Sequence, residues 1–156
     1  MRRVAAGLLA LSVTGVAFIA GHEATRLDAY LDTGGVPTIC TGSTEGVRLG
    51  QRATFEECNA RLIRDTTHAG RAVADCTHVA ITQEQYDALV SFTFNVGRAA
   101  YCGSTLARKL NAGDCWGAAA QFPRWIYDNG RKLRGLERRR AEERAAFEKG
   151  CDRGVG

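Results

Sequence analysis

No charged side chain occurs between Arg3 and His22. This uncharged run, Val4–Gly21, constrains the chain more than any other feature. Its eighteen residues, coiled as one helix, reach roughly 27 Å, near the lower limit for crossing a bilayer core. Arg2 and Arg3 form a short basic start that favours the cytoplasmic side, so everything beyond Gly21 faces outward. As a membrane helix the run is poor. Gly7, Ser12, Thr14, Gly15 and five alanines dilute its leucines and valines. Two readings follow: a signal peptide cleaved at Ala17 after Gly15-Val16, or an uncleaved, weakly hydrophobic anchor that later leaves the bilayer. Residues 1–21 are therefore expected to be a separate membrane-directed segment, and residues 22–156 one domain.

The cysteines agree with export. Cys40, Cys58, Cys76, Cys102, Cys115 and Cys151 all follow the run, and an even count in an exported chain argues for disulfides. Fifteen pairings are formally possible. Sequential pairing, Cys40–Cys58, Cys76–Cys102 and Cys115–Cys151, closes the shortest loops and is the expectation; the alternative leaves some thiols free and buried. There is no C-x-x-C, and His22, His68 and His78 lack zinc-site spacing, so no metal is expected. The formal charge is +4, of which Arg2 and Arg3 supply half. That bias suits an anionic wall polymer or lipid headgroups and falls short of a nucleic-acid footprint.

Along the chain, residues 30–51 are rich in turn formers, with Gly34-Gly35, Pro37, Gly42, Gly46 and Gly50 between short β-branched stretches. They read as a small antiparallel hairpin or three-stranded sheet. Thr54 with Glu57, and Thr82 with Gln85, are capping boxes that open two helices. The first runs towards Asp75. The second carries Tyr86, Leu89, Val90, Phe92, Phe94 and Val96 almost all round, as a buried central helix does, and Gly97 ends it. Ser104 caps a helix to Asn111, and Asp114 caps one to Phe122. Asp128-Asn129-Gly130 signals a turn. A last helix spans Leu136 to Lys149. In it, Arg138, Arg139 and Arg140 alternate with Glu137, Glu142 and Glu143 and read as a solvated face laced by i,i+4 pairs, with a wall or lipid contact as the other reading. The fold class is α+β, mostly helical, with one small sheet near the start.

Two carboxylates stand at the beginning of this domain. Glu23 follows the uncharged run directly and is expected on a short helix with Leu27 and Tyr30. Asp32 lies nine residues on, at the start of the turn-rich hairpin, and Thr38 six further. Glycoside hydrolysis uses such a pair: one carboxylic acid protonates the leaving oxygen, and the other positions water or attacks the sugar. Burial against apolar groups keeps the acid protonated, which suits Glu23, whereas a polar turn suits an ionised Asp32. Asp28 is close to both, and spacing alone leaves it a candidate.

The order Glu23, Asp32, Thr38 resembles the catalytic triad of phage-type lysozymes, glycoside hydrolase family 24. The stretch R-L-D-A-Y-L-D-T-G-G-V-P-T-I-C is similar to that family's helix-to-hairpin segment. Q-Y-D-A-L-V-S-F-T-F-N-V-G is similar to its central helix, and S-T-L-A-R-K-L-N-A-G-D and G-L-E-R-R-R-A-E-E-R to its C-terminal lobe. The resemblance covers Gly21 to about Lys149. It implies a two-lobed fold with the sugar chain between the lobes, Glu23 as general acid, Asp32 as second carboxylate and Thr38 as the hydroxyl that positions water. Phe94 and Asn95 match the stretch that approaches the groove, and Trp125 matches a tryptophan packed in a lobe core. No cofactor is implied.

The activity so implied is an endolysin: an inverting muramidase that cuts β-1,4 bonds between N-acetylmuramic acid and N-acetylglucosamine in peptidoglycan for host lysis, as a monomer. A lytic transglycosylase would need only Glu23, and a wall-binding protein on the same scaffold would need neither carboxylate. A disulfide-stapled secreted factor unrelated to glycans is a further alternative. The chain also resembles signal-arrest-release endolysins, which implies that Val4–Gly21 sits in the host inner membrane until lysis and that the domain is then released to the periplasm. It departs from relatives at Thr41-Gly42-Ser43-Thr44, where many have Gly-His-Thr. It has no cysteine before Cys40, so a switch by disulfide exchange within the anchor has no thiol to use.

Overall fold

The computed structural model describes residues 2–152; Met1 and residues 153–156, at the outer limits of the two expected segments, lie outside the described residues. In chain order the elements are β1 (Val4–Ala5), a 3-10 turn (Ala6–Leu8), α1 (Val13–His22), β2 (Arg26–Leu31), β3 (Pro37–Cys40), α2 (Phe55–Cys76), β4 (Ala80–Ile81), α3 (Gln83–Val96), α4 (Arg98–Cys102), α5 (Thr105–Asn111) and α6 (Cys115–Ala119). A second 3-10 turn (Phe122–Arg124), β5 (Tyr127–Asp128), β6 (Arg131–Lys132) and α7 (Arg134–Glu148) follow. The molecule is mostly helical with a small antiparallel sheet, β2 with β3, near its start, as the sequence predicts; two further two-stranded sheets among the described residues, β1 with β4 and β5 with β6, were not expected.

Two apolar clusters define two lobes. The smaller holds Ile39, Cys40, Val47, Ala53 and Cys58, with Leu27 and Ala29 packed on it. The larger surrounds α3, whose Tyr86, Leu89, Val90 and Phe92 are all buried. Helix α2 belongs to both, with Cys58 in the small cluster and Ala69 and Val73 in the large one. Its 22 residues reach about 33 Å, enough to bridge two lobes. Both capping boxes form: Thr54 accepts from the Glu57 amide, and Thr82 from that of Gln85. Disulfides join Cys40 to Cys58 within the small lobe, Cys76 to Cys102 between α2 and α4, and Cys115 to Cys151 across the C-terminal end.

Three local expectations need correction. Residues 24–30 are not helical: Leu27 and Ala29 turn onto the small core while Arg26 and Asp28 face water. That is the two-residue period of a strand, and it outweighs the helical spacing of Leu27 and Tyr30. The helix capped by Asp114 stops at Ala119, and Phe122-Pro123-Arg124 forms a separate 3-10 turn, because proline cannot donate to a continuing helix.

The third concerns Val4–Gly21, which is not one helix. Val4 and Ala5 pair with Ile81 and Ala80, Ala6 is buried in a 3-10 turn, and the α-helix starts only at Val13. No helix among the described residues is long and apolar enough to cross a membrane. The run is broken by what it packs on. Ser12 caps α1 by accepting from the Gly15 amide, while its own amide and hydroxyl donate to Asp87 on α3. Gln83 donates to the Ala10 carbonyl and to Asp87. Gly15 lies so close to Asp87 that a Cβ there would stand 2.8 Å from its carboxyl carbon. Ile19 is fully buried.

Candidate active site

Glu23 ends α1 and turns the chain into β2, so docking of α1 fixes where its carboxylate lies. Two features meet it there. One is Gly42, in the tight return after β3, where Ile39 and Ser43 pair across the turn. Gly42 has φ +93°, and a Cβ on it would come 3.6 Å from Glu23 Oε2. Glycine thus serves both the backbone turn and the open face of the carboxylate. The other is Arg139 of α7, whose Nη1 donates to Glu23 Oε1 at 2.5 Å. The Glu23 side chain is 20% and that of Arg139 4% exposed, so this pair is largely screened from water.

Glu23 was expected against apolar groups; its close neighbour is instead a guanidinium. Arg139 and Arg140 are 3% and 0% exposed, so the arginine run is not a solvated face; only Arg138 of the three points to water. Arg140 stacks on the Phe92 ring at 4.9 Å and donates to Asn95 Oδ1 at 2.9 Å. Burial pulls its guanidinium below the usual value, and neighbouring Glu143 opposes that shift. A signal for this was present. Leu136, Arg140, Glu143 and Phe147 fall at i, i+4, i+7 and i+11, so the charges share the stripe that the apolar residues bury.

Asp32 and Thr38 lie on the hairpin. Asp32 follows β2, and its Oδ1 accepts from the Gly34 and Val36 amides at 2.9 and 2.8 Å. The turn closes through Gly35, at φ +77°, whose amide donates to the Asp32 carbonyl. Its next residue, Thr33, donates to Asp128 and accepts from Asn129, so the turn is tied to the β5–β6 hairpin. Thr38 pairs with Tyr30, is 3% exposed, and donates its hydroxyl hydrogen to the Val36 carbonyl at 2.9 Å. That leaves its oxygen free to accept. Between Arg26 and Tyr30 the register is irregular, which bends β2.

A cleft of about 480 Å³ opens between the lobes, with Gly42, Thr44, His68, Thr93 and Phe94 among its walls. Phe94 therefore faces it. Asn95, one residue on, does not line it and instead holds Arg140. Trp125 packs edge-on against Phe92 in the large core. Asp28, the other carboxylate near by, is exposed and paired with Arg52. Among the described residues no group of three or more His, Cys, Asp or Glu side chains is placed to hold a metal ion.

The family profile described as Phage lysozyme matches residues 20–143, which includes Glu23, Asp32, Thr38, Arg139 and Glu143. The chain belongs to the phage lysozyme family. It is 38% identical over 142 residues to an endolysin of Acyrthosiphon pisum secondary endosymbiont phage 1, covering 88% of this chain and 97% of that one. It is 36% identical over 148 residues to a SAR-endolysin of bacteriophage PS119, covering 92% and 89%. Among solved structures, the muramidase domain of SpmX from Asticaccaulis excentricus superposes with a TM-score of 0.81 at 37% identity, over 88% of this chain and 97% of that one. This phage lysozyme is accordingly a glycoside hydrolase of the muramidase type, an endolysin.

Proposed function

We propose that Glu23 protonates the glycosidic oxygen, that Asp32 activates or stabilises from the other side, and that Thr38 orients the attacking water. The observation that supports this most is the setting of Glu23, whose carboxylate lies beside Gly42 of the cleft wall on one side and is gripped by Arg139 on the other. Asp32, held by two amides, is pre-oriented, so little reorganisation is needed during reaction. The substrate is the β-1,4-linked glycan of peptidoglycan, taken up by a monomer, with inversion at the anomeric carbon.

The test is loss of wall turbidity with the fragments weighed by mass spectrometry, beside Glu23→Gln. Reducing-end muropeptides from the parent and a loss of at least a hundredfold in the mutant are expected, since an acid catalyst contributes about 10²–10⁴. Anhydro products would move the enzyme to the transglycosylases. An unaffected Glu23→Gln would remove Glu23 from the acid role.

The same reading extends to residues 1–21. They act first as a signal-anchor in the host inner membrane, holding the domain on the periplasmic side, and dock on α3 and β4 after release. Several SAR-endolysins are among the relatives, and the polar and small residues that weaken the run as a membrane helix are those that seat it here. Ser12 and Gly15 contact Asp87 directly. Leucine at either position would break the seat as well as strengthen the anchor. Gly7 and Thr14 are exposed, so leucine at those two strengthens the anchor alone. The Gly7→Leu/Thr14→Leu protein is expected to stay in the membrane fraction when the parent leaves it; equal release of both would contradict the anchor.

A further inference from the structure

We infer that Glu143, which touches no part of the cleft, is a positioning residue for the reaction: it holds the Arg139 guanidinium so that one nitrogen points at Glu23. The inference rests on the reading of Glu23 as the acid.

Glu143 is fully buried on α7. Its Oε1 accepts from Arg139 Nε at 3.2 Å, from an Arg140 Nη at 2.8 Å and from the Ser91 hydroxyl at 2.7 Å. Its Oε2 lies 2.7 Å from Arg140 Nε. The planar fork of Arg139 is thus fixed at two of its three nitrogens. Nε goes to Glu143, and Nη2 goes to the Ser91 carbonyl at 3.2 Å. Only Nη1 remains, and it meets Glu23. Because Ser91 spends its hydrogen on Glu143, its oxygen can only accept from Arg139.

Charge balance leads to the same residue. Two buried guanidiniums demand two carboxylates, because a buried charge is tolerated only when paired. Glu143 supplies one and Glu23 the other. Before α1 docks, Arg139, Arg140 and Glu143 carry one uncompensated positive charge at the place Glu23 will take. Arg140 cannot substitute for Arg139 there, since it is spent on Glu143, Asn95 and the Phe92 face. Without Glu143, Arg139 Nε loses its acceptor and the fork is free to turn away from Glu23.

The experiment compares parent, Glu143→Gln, Glu143→Asp and Glu23→Gln on soluble, uncross-linked glycan strands, well below each melting temperature. Glu143→Gln is expected to lower kcat by tenfold or more with KM within twofold, and to displace the limb of the kcat–pH profile that reports Glu23. Glu143→Asp, which keeps the charge but withdraws it by one methylene, is expected to fall in between, by about threefold. Should Glu143→Gln not fold, the aspartate variant carries the test alone. Parental kcat in a folded variant, or a fall in kcat with an equal rise in KM and an unmoved pH profile, would overturn the proposal. If Glu23→Gln is inactive and the Glu143 variants are unchanged, positioning fails while the acid assignment stands. If Glu23→Gln is active, the acid assignment itself fails.

Discussion

Helix α3 and the uncharged run Val4–Gly21 are both apolar, yet they are held in opposite ways. Eight of the fourteen residues of α3 are buried, on every side of the helix. Of the run, only Ala6, Gly15 and Ile19 are buried, while Leu8, Val13 and Val16 are exposed. The lobe closes around α3, so its sequence and its surroundings agree. The run touches the lobe through β1 on β4, the Ala6–Leu8 turn on α2 and α1 on α3, with polar contacts from Ser12 to Asp87 and from Gln83 to the Ala10 carbonyl. Apolar composition therefore says that a segment leaves water without saying for which partner. With so few of its residues buried, the run leaves most of its apolar surface open to another partner, and Glu23 follows its end.

The sharpest contrast is in what truncation does. Phe92→Ala removes a ring that meets Tyr101, Phe122, Trp125 and Arg140, and should cost about 3–5 kcal/mol in urea unfolding. Ile19→Ala, the best-buried point of the run, should cost about 2–5 kcal/mol if α1 unfolds with the lobe. A much smaller loss, with the main transition unmoved, would mean that the run melts off separately.

A pH scan sharpens the same point from the α3 side. Burial pushes the Tyr101 hydroxyl, bonded to Thr77, up to about 12. The unfolded chain releases that proton near pH 10 and the folded one near 12. Stability should thus be intact below pH 10 and decline by on the order of 2 kcal/mol as pH rises to 12. Tyr101→Phe should flatten that slope in alkaline unfolding titrations. The smallest effect belongs to the open side of the run: Val13→Ala, at an 88% exposed residue, should change stability by less than about 0.5 kcal/mol.

Much of this was readable in the residues. Thr54 with Glu57 and Thr82 with Gln85 start their helices locally, and local signals survive into the fold. The apolar girdle of α3 announced its burial. What stayed hidden depended on contacts distant in sequence. Arg139 and Arg140 looked solvated because their carboxylate partners are partly remote, with Glu23 lying 116 residues before Arg139. The break in Val4–Gly21 depends on Asp87, Gln83 and Ile81, none of which the run itself encodes. Strand β2 differs from the helix its sequence suggests because six residues hold too few repeats to separate a period of two from one of 3.6.

In the function we propose, Val4–Gly21 exchanges a bilayer for this lobe and in doing so delivers Glu23. The direct measurement is membrane fractionation of cells making the parent chain, before and after the membrane potential is collapsed, with wall hydrolysis and intact mass recorded on each fraction. The prediction is an inactive, full-length protein in the membrane that becomes soluble, unshortened and hydrolytic on collapse. A soluble chain already cleaved near Ala17, or full hydrolytic activity while still membrane-bound, would contradict it.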